Sequence, residues 1–332
     1  MAKLKKCTVK SPANIAFIKY WGKTDPKTRI PANNSISMCI SELFSLCSVE
    51  FQQGLKEDDI KFVGEKVVTE RELNRIIKVL DRVREKAGIS CGAKIVTKNN
   101  FPKATGIASS ASGLSSVTMA ALGSAGIELE EKELSMIARL ASGTACRSIP
   151  DGFVEWVVKD DDGKSYSQTI HPVDYWDICD VTAIVTKKMK KISSTKGHSL
   201  ANTSPFYHQR LEAMHKKVAD LKQALKDKDF TKFGTILEHE ALNMHAICIT
   251  STPPILYWEG PTMTLMKKIT EWREDDGLEV YYTIDAGPTV HAICQGKDAE
   301  EVAKRMAEIK GVDRVAINKP AVGARFVDNH LF

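Results

Sequence analysis

Apolar positions fall in short, distinct runs along the first half of the chain. Lys5–Lys10, Ser45–Phe51 and Ala93–Thr97 read as strands. Between them, Thr69–Lys86 carries Leu73, Ile76, Ile77, Leu80 and Val83 at helical spacing, which predicts an amphipathic helix. Leu114–Leu122 and Glu130–Leu140 predict two further helices, and Gly152–Val158 and Val181–Val185 two further strands. Asp160-Asp-Asp-Gly163 reads as a hairpin turn. The second half opens with longer helical patterns, Ser204–Leu225, Phe230–His245 and Pro261–Trp272. Strands Val280–Asp285 and Val290–Cys294 then flank the turn Ala286-Gly-Pro288, followed by a helix over Lys297–Ile309 and a last strand over Arg314–Ile317. Strands and helices mixed in each half predict an α+β or split βαβ architecture. A length of 332 residues suits two domains, with the border between residues 180 and 195, drawn as 1–188 and 189–332.

Composition narrows the picture mainly by exclusion. The chain is 43% hydrophobic and 27% charged, ordinary for a globular protein. Its net charge of +5 suits a small anionic substrate and is too weak to argue for nucleic acid. The basic run Lys187-Lys-Met-Lys-Lys191 is either a phosphate ligand or a solvated strand end. Among the eight cysteines no two form C-x-x-C, and their apolar neighbours point to buried free thiols in a reducing compartment. The histidines lack zinc spacing. Met1-Ala-Lys-Leu-Lys-Lys6 lacks the apolar core of a signal peptide, and no run of about 18 apolar residues spans a membrane. The expected location is the cytoplasm, with no nucleic-acid or membrane partner.

The segment Phe101-Pro-Lys-Ala-Thr-Gly-Ile-Ala-Ser-Ser-Ala-Ser-Gly113 changes the picture more. A Gly-, Ala- and Ser-rich loop that opens a helix offers free backbone N–H groups and the positive end of a helix dipole, a cradle for phosphate. It is neither a Walker A loop nor a dinucleotide fingerprint. Gly163-Lys-Ser165 comes nearest to the former, but Val158 stands where its first glycine belongs. The alternative is an ordinary small-residue loop.

Four polar clusters are candidate sites. Lys19-Tyr-Trp-Gly-Lys23 puts two cations and a phenol at the end of an apolar run, suited to phosphate oxygens or to a surface patch beside a core tryptophan. In Ala141-Ser-Gly-Thr-Ala-Cys-Arg-Ser148, Arg147 either pairs with a carboxylate or caps a helix. Lys191-Ile-Ser-Ser-Thr-Lys-Gly197 is a hydroxyl- and cation-rich turn or an exposed loop. Asp285, at a strand end before a tight turn, either stabilises that turn or orients or deprotonates a hydroxyl.

In order along the chain, Asn14-Ile-Ala-x-Ile-Lys-Tyr-Trp-Gly-Lys23, Pro31-x-Asn-x-Ser-x-Ser37, Asn99-Asn-Phe-Pro102 and Gly106-x-Ala-Ser-Ser-Ala-Ser-Gly113 are followed by further matching segments. These are Ser142-Gly-x-Ala-Cys-Arg-Ser148, Gly152-Phe-Val-Glu-Trp156, Lys190-Lys-x-Ser-Ser194 and Asp285-Ala-Gly-Pro288. Together they resemble the mevalonate diphosphate decarboxylase family, within the galacto/homoserine/mevalonate/phosphomevalonate kinase superfamily. The resemblance implies a two-domain fold, with an N-terminal part like ribosomal protein S5 domain 2 and a ferredoxin-like C-terminal part. It implies ATP and Mg2+, a phosphorylated mevalonate as substrate and a homodimer. The implied reaction phosphorylates a tertiary alcohol and then expels phosphate and carbon dioxide.

By the same resemblance, Asp285 orients the 3-hydroxyl, Arg147 holds the carboxylate and Lys19 completes the catalytic set. Tyr20, Lys23, Ser142, Ser194 and Thr195 fall to the substrate's distal phosphate. Asn14, Asn100, Gly106, Ala108, Ser109, Ser110 and Ser112 fall to ATP, with Asn14 orienting one of the serines. The chain departs from the family pattern at Thr195, where many relatives carry Arg, at Pro150-Asp-Gly152 in place of Tyr-Gly-Gly, and at Lys103 and Thr105. The 5-diphosphate is the leading substrate. The 5-monophosphate, an ATP-independent reaction on the 3,5-bisphosphate and a plain small-molecule kinase are the alternatives.

Overall fold

The computed structural model describes residues 4–64, 68–101, 109–186 and 191–332. Gly106, Ala108 and most of the Lys187–Lys191 run lie outside these. The first sheet contains β1 (Cys7–Ile18), β4 (Ser35–Phe51), β5 (Asp59–Val63), β6 (Ala93–Asn99), β7 (Phe153–Val157), β8 (Tyr166–His171) and β13 (Arg325–Phe326). The short β2 (Lys23–Asp25) and β3 (Ile30–Pro31) pair with each other beside it. The second sheet runs β10 (Val280–Thr283), β11 (Val290–Gln295), β9 (Ile178–Ile184), β12 (Arg314–Asn318), antiparallel throughout. The helices are α1 (Glu70–Ala87), α2 (Ser109–Ser124), α3 (Glu131–Ala141), α4 (Ser194–Leu200), α5 (Tyr207–Asp227), α6 (Phe230–Thr250), α7 (Gly260–Glu274) and α8 (Ala299–Ala307).

This is the expected α+β class, with longer strands than the sequence pattern outlines. β1 is buried almost without a break, as a strand covered on both faces should be. One face, with Val9, Cys47 and Val49, meets Ile76 and Leu80 of α1 and Leu114 and Val117 of α2. The other, with Ile15, Phe17, Ile36 and Met38, meets Leu221 of α5, Phe233 and Leu237 of α6, and Ile293 of β11. The far side of the second sheet packs on α7 and α8. The eight cysteines are free, and all but Cys91 are buried.

Local chemistry sets the ends of α1. Thr69 and Glu72 form a capping box, and Gly88 closes the helix at φ +66°. The hairpin expected at Asp160–Gly163 joins β7 to β8, with Gly163 N–H bonded to the Asp160 carbonyl at 2.9 Å. The segment read as a turn or loop at 191–197 contains the start of α4, whose N-cap is Ser193. The border drawn at 188/189 separates β9 from its neighbours, because β9 lies between β11 and β12. We place it between β8 and β9 on sheet membership. An apolar run such as Val181–Val185 carries no mark of which sheet it will join. No described helix is long and apolar enough to cross a membrane.

Gly234 is where α6 meets the second sheet. A Cβ there would lie 2.0 Å from the Tyr281 ring. Alanine in a helix interior ordinarily gains about 1 kcal/mol over glycine. Gly234→Ala is expected instead to lose about 1–2 kcal/mol, because overpacking prises the helix from the sheet. Urea unfolding measures the sign, and a gain would mean that Tyr281 moves aside freely.

Candidate active site

The chain end of β1 and the chain end of β10 meet over a buried ion pair. Lys19, 1% exposed, donates from Nζ to Asp285 Oδ1 at 2.6 Å and to the Ala16 carbonyl at 2.7 Å. Asp285 keeps 17% of its side chain open to the cleft. Burial pushes its carboxyl up, but Lys19 and Arg147 outweigh that and hold it below the usual carboxylate range. Burial pulls the Lys19 ammonium down against the opposing pull of Asp285. Behind the aspartate, burial brings His245 down to about 3, so its ring is neutral and its Nε2–H donates to the Asp285 carbonyl at 3.2 Å.

Arg147 sits on the 3-10 turn Gly143–Ser148 that follows α3, and is 1% exposed. Its Nε donates to Asn14 Oδ1 at 3.2 Å and its Nη1 to Ser35 Oγ at 3.1 Å. Asn14 in turn donates to Ser148 Oγ at 2.7 Å. Its contacts therefore fix the plane of the Arg147 guanidinium. Among the described residues Asn14 thus serves Arg147 and Ser148, and most of the phosphate loop it was expected to meet lies outside them. Nη2 of Arg147 makes no hydrogen bond among the described residues.

Beside this cluster stand residues expected at the distal phosphate. The Tyr20 ring packs on Trp156 and His198, at centroid distances of 4.6 and 4.1 Å. Its buried hydroxyl has no partner among the described residues. Gly143, next to Ser142, brings the turn onto Tyr20, since a Cβ there would lie 2.9 Å from that hydroxyl. Gly197 seats α4, with Ser194 and Thr195 at its start, against Trp21, since a Cβ there would lie 2.5 Å from the indole. Lys23 is half-buried, and its ammonium is lowered to about 8, by burial first and then by Arg29, Arg75 and Arg71.

Those arginines line a cavity of about 450 Å³ with Lys78, Asn74, Glu70 and Thr195. Arg71 reaches across to Ser193 Oγ at 3.1 Å. Arg29, Arg71 and Arg75 were not legible as site residues in the sequence. The signal that points to them is Arg71 and Arg75 one turn apart at the N-terminal end of α1, where a helix dipole disfavours cations. Arg75 also lines a second, smaller cavity with Ser110 at the start of α2 and the apolar Phe62, Ile76, Leu114 and Val117. Two of the residues expected at ATP are engaged elsewhere. Ser112 is fully buried and pairs with Ser45 Oγ at 2.7 Å, and Asn100 ties down the main chain of Phe44 and Glu42. Ser109 opens α2.

Two family models match in succession. Residues 11–167 match the diphosphomevalonate decarboxylase-like N-terminal domain, and residues 181–319 the mevalonate 5-diphosphate decarboxylase C-terminal domain. A diphosphomevalonate decarboxylase of Debaryomyces hansenii is 33% identical over 84% of this chain and 76% of its own. The chain belongs to the diphosphomevalonate decarboxylase family. A phosphomevalonate decarboxylase of Haloferax volcanii is 29% identical over 91% of this chain and 92% of its own. The crystal structure of mevalonate diphosphate decarboxylase from Staphylococcus aureus superposes with a TM-score of 0.91 at 34% identity, covering 98% of this chain and 99% of that one. A further structure, described as MDDEF in complex with MVAPP, AMPPCP and magnesium, gives a TM-score of 0.89 at 29% identity, covering 98% and 100%. The two-domain fold is thus the kinase-superfamily fold that the motifs imply.

The family's anionic chemistry gives Lys23 a measurable signature. An anion held among the arginines that bear on Lys23 stabilises its ammonium, so binding is tightest below the free-enzyme value of about 8 and weakens as pH rises through it. Pyrophosphate, used as a competitive ligand, is expected to lose affinity across that window. Lys23→Met should flatten the dependence, and an unchanged slope in that variant would place the titration on another group.

Proposed function

We propose that this chain catalyses the ATP-dependent decarboxylation of mevalonate 5-diphosphate to isopentenyl diphosphate, a step of isoprenoid synthesis. The observation that carries the reading is the buried Lys19–Asp285 pair, with Arg147 beside it, next to a cavity lined by Arg29, Arg71, Arg75 and Lys78. One part suits a hydroxyl and a carboxylate, and the other a diphosphate.

Hydroxide is too poor a leaving group for a 3-hydroxy acid to lose directly, and ATP supplies the phosphoryl group that makes it a better one. Asp285 accepts a hydrogen bond from the 3-hydroxyl and takes its proton as the O–P bond forms, leaving a lone pair of the hydroxyl oxygen aimed at the incoming phosphorus. Its depressed basicity suits a loose transition state, in which the hydroxyl proton leaves late and positioning matters more than base strength. The Lys19 ammonium stabilises charge on the transferring oxygens. When phosphate departs, positive charge grows at C3. The C1–C2 bonding pair then moves to form the C2–C3 double bond, and carbon dioxide leaves. Arg147, held flat by Asn14 and Ser35, orients the carboxylate through that step. The orphan Tyr20 hydroxyl, Lys23, Ser142 and the α4 start bind the far phosphate.

Among the described residues no group of three carboxylate, histidine or cysteine side chains could hold a metal ion, and Asp285 is engaged by Lys19. Mg2+ therefore fits as an ion carried on the nucleotide phosphates, where it neutralises their charge. The cavity beside Ser110 at the start of α2, walled partly by Phe62, Ile76, Leu114 and Val117, supports this side as the one from which the nucleotide would enter. The free thiols support a reducing, cytoplasmic setting, and a homodimer is the assembly implied by the family.

Thr195 favours a second reading, with the 5-monophosphate as substrate, because a guanidinium is missing from the α4 start. The arginines of α1 and Arg29 supply positive charge from the opposite wall, which supports the diphosphate. Carbon dioxide and ADP release from each substrate with Mg-ATP decides between them. Asp285→Asn is expected to lower kcat on the order of a thousandfold while nucleotide binding persists. Loss of nucleotide binding would make the aspartate structural. Thr195→Arg is expected to raise the diphosphate-to-monophosphate ratio of kcat/KM by about tenfold, the worth of one charge-assisted contact. A constant ratio would mean that the α4 start does not select the substrate.

A further inference from the structure

β1 ends at Ile18, so the strand ladder no longer holds the next residue, Lys19. Its main chain is held by side chains from other elements instead. The Lys19 N–H donates to Glu240 Oε1 on α6 at 3.3 Å. The Lys19 carbonyl accepts from Arg210 Nη2 on α5 at 3.0 Å and from Asn33 Nδ2 at 3.0 Å. Arg210 closes the ring with an ion pair to Glu240 Oε1 and a hydrogen bond to Asn33 Oδ1 at 3.3 Å. Glu240 Oε2 takes Lys217 Nζ at 2.8 Å.

The charges in this ring are costly. Glu240 is 0% exposed and the Arg210 side chain 1%. Two ions taken so far out of water are often less stable than an apolar pair of equal volume, and their best-attested use is to fix geometry. Here they close around the peptide of one residue, and that residue carries the ammonium that meets Asp285. We propose that Glu240 and Arg210 are positioning residues, a clamp from the C-terminal helices that fixes the Lys19 peptide so that its ammonium reaches Asp285 and the transferring phosphoryl group.

The clamp also acts through charge. The groups bearing on the Lys19 ammonium are Asp285 and Glu240, which favour its protonated form, and Arg147, which opposes it. His245 is neutral, and Arg210 and Lys217 are both paired with Glu240, Arg210 also meeting the Lys19 carbonyl. Removing the Glu240 charge lowers the ammonium further. The basic limb of the kcat profile then moves to lower pH, because the protonated lysine is the working form.

This inference rests on the phosphoryl-transfer reading of the Lys19–Asp285 pair. The test compares wild type with Glu240→Gln, with Mg-ATP and mevalonate 5-diphosphate, from neutral to alkaline pH. The variant keeps an oxygen for the Lys19 N–H but loses the charge. We expect kcat to fall about ten- to a hundredfold with KM for the diphosphate held within about threefold, since the cavity cations are untouched. We also expect the basic limb to shift to lower pH. Unchanged kcat, or a loss with an unmoved limb, overturns the clamp. If Glu240→Gln does not fold, Asn33→Ala decides. It removes one donor to the Lys19 carbonyl, and kcat should fall several-fold with KM held. No loss there overturns the clamp. A wild type that releases no carbon dioxide defeats the underlying reading and the clamp with it, whereas an active wild type with an unaffected variant defeats the clamp alone.

Discussion

The bond between Lys19 and Asp285 is the constraint around which the two halves of the molecule are arranged. One partner leaves the first sheet at the end of β1, and the other leaves the second sheet at the end of β10. A lysine this deeply buried needs its counter-ion to stay protonated, and a carboxylate this enclosed needs its cation to stay ionised. The pair is therefore an electrostatic reason for the sheets to come together, added to the apolar contact of Ile15, Phe17 and Ile36 with Ile293 and Phe233. It also keeps one ionised carboxylate at the mouth of a cleft, where a hydroxyl nucleophile can be oriented.

The cation-lined cavity follows the opposite logic. Burial depresses the ammonium of Lys23, and repulsion from Arg29, Arg75 and Arg71 depresses it further. Burial brings Arg75 down to about 10, aided by Arg29 and Arg71. Such a cluster is unfavourable when empty and favourable when it holds a polyanion, so binding relieves a strain the free protein carries. The Lys19–Asp285 pair is neutralised within the protein, whereas the arginine-lined cavity has its excess charge unmet by the protein. That difference is what the proposed division between reacting centre and distal-phosphate site rests on.

The sequence made the reacting centre more legible than the walls around it. Lys19, Arg147 and Asp285 stand in motifs whose order along the chain identifies them, and the structure brings all three together. The arginines of α1 were hidden because the helix announced itself by its apolar stripe alone. Ser112 and Asn100 had the right residue types beside the phosphate loop. Their hydrogen bonds go to Ser45 and to the main chain of Phe44 and Glu42, and only coordinates distinguish a hydroxyl facing a ligand from one tying a strand to a helix. Gly197 obscured α4, since glycine argues against a helix from sequence. The structure requires it there because Trp21 leaves no room for a Cβ.

Glu240 shows the same gap most sharply. In the sequence it is one acid in a helix between residues of ordinary kind, and nothing in spacing separates it from Glu238 nearby. Both are buried, and each receives a backbone N–H from a distant segment, Glu240 from Lys19 and Glu238 from Tyr282. The two acids of α6 thereby hold a peptide from each side of the cleft, one following β1 and one within β10. Asp285 and Lys19 are thus referred to a common helix. A helix that fixes both strand ends sets the distance between a nucleophile-orienting carboxylate and its cation more tightly than either sheet does alone. Distance is what phosphoryl transfer demands most, since catalysis of that step is chiefly positioning and charge.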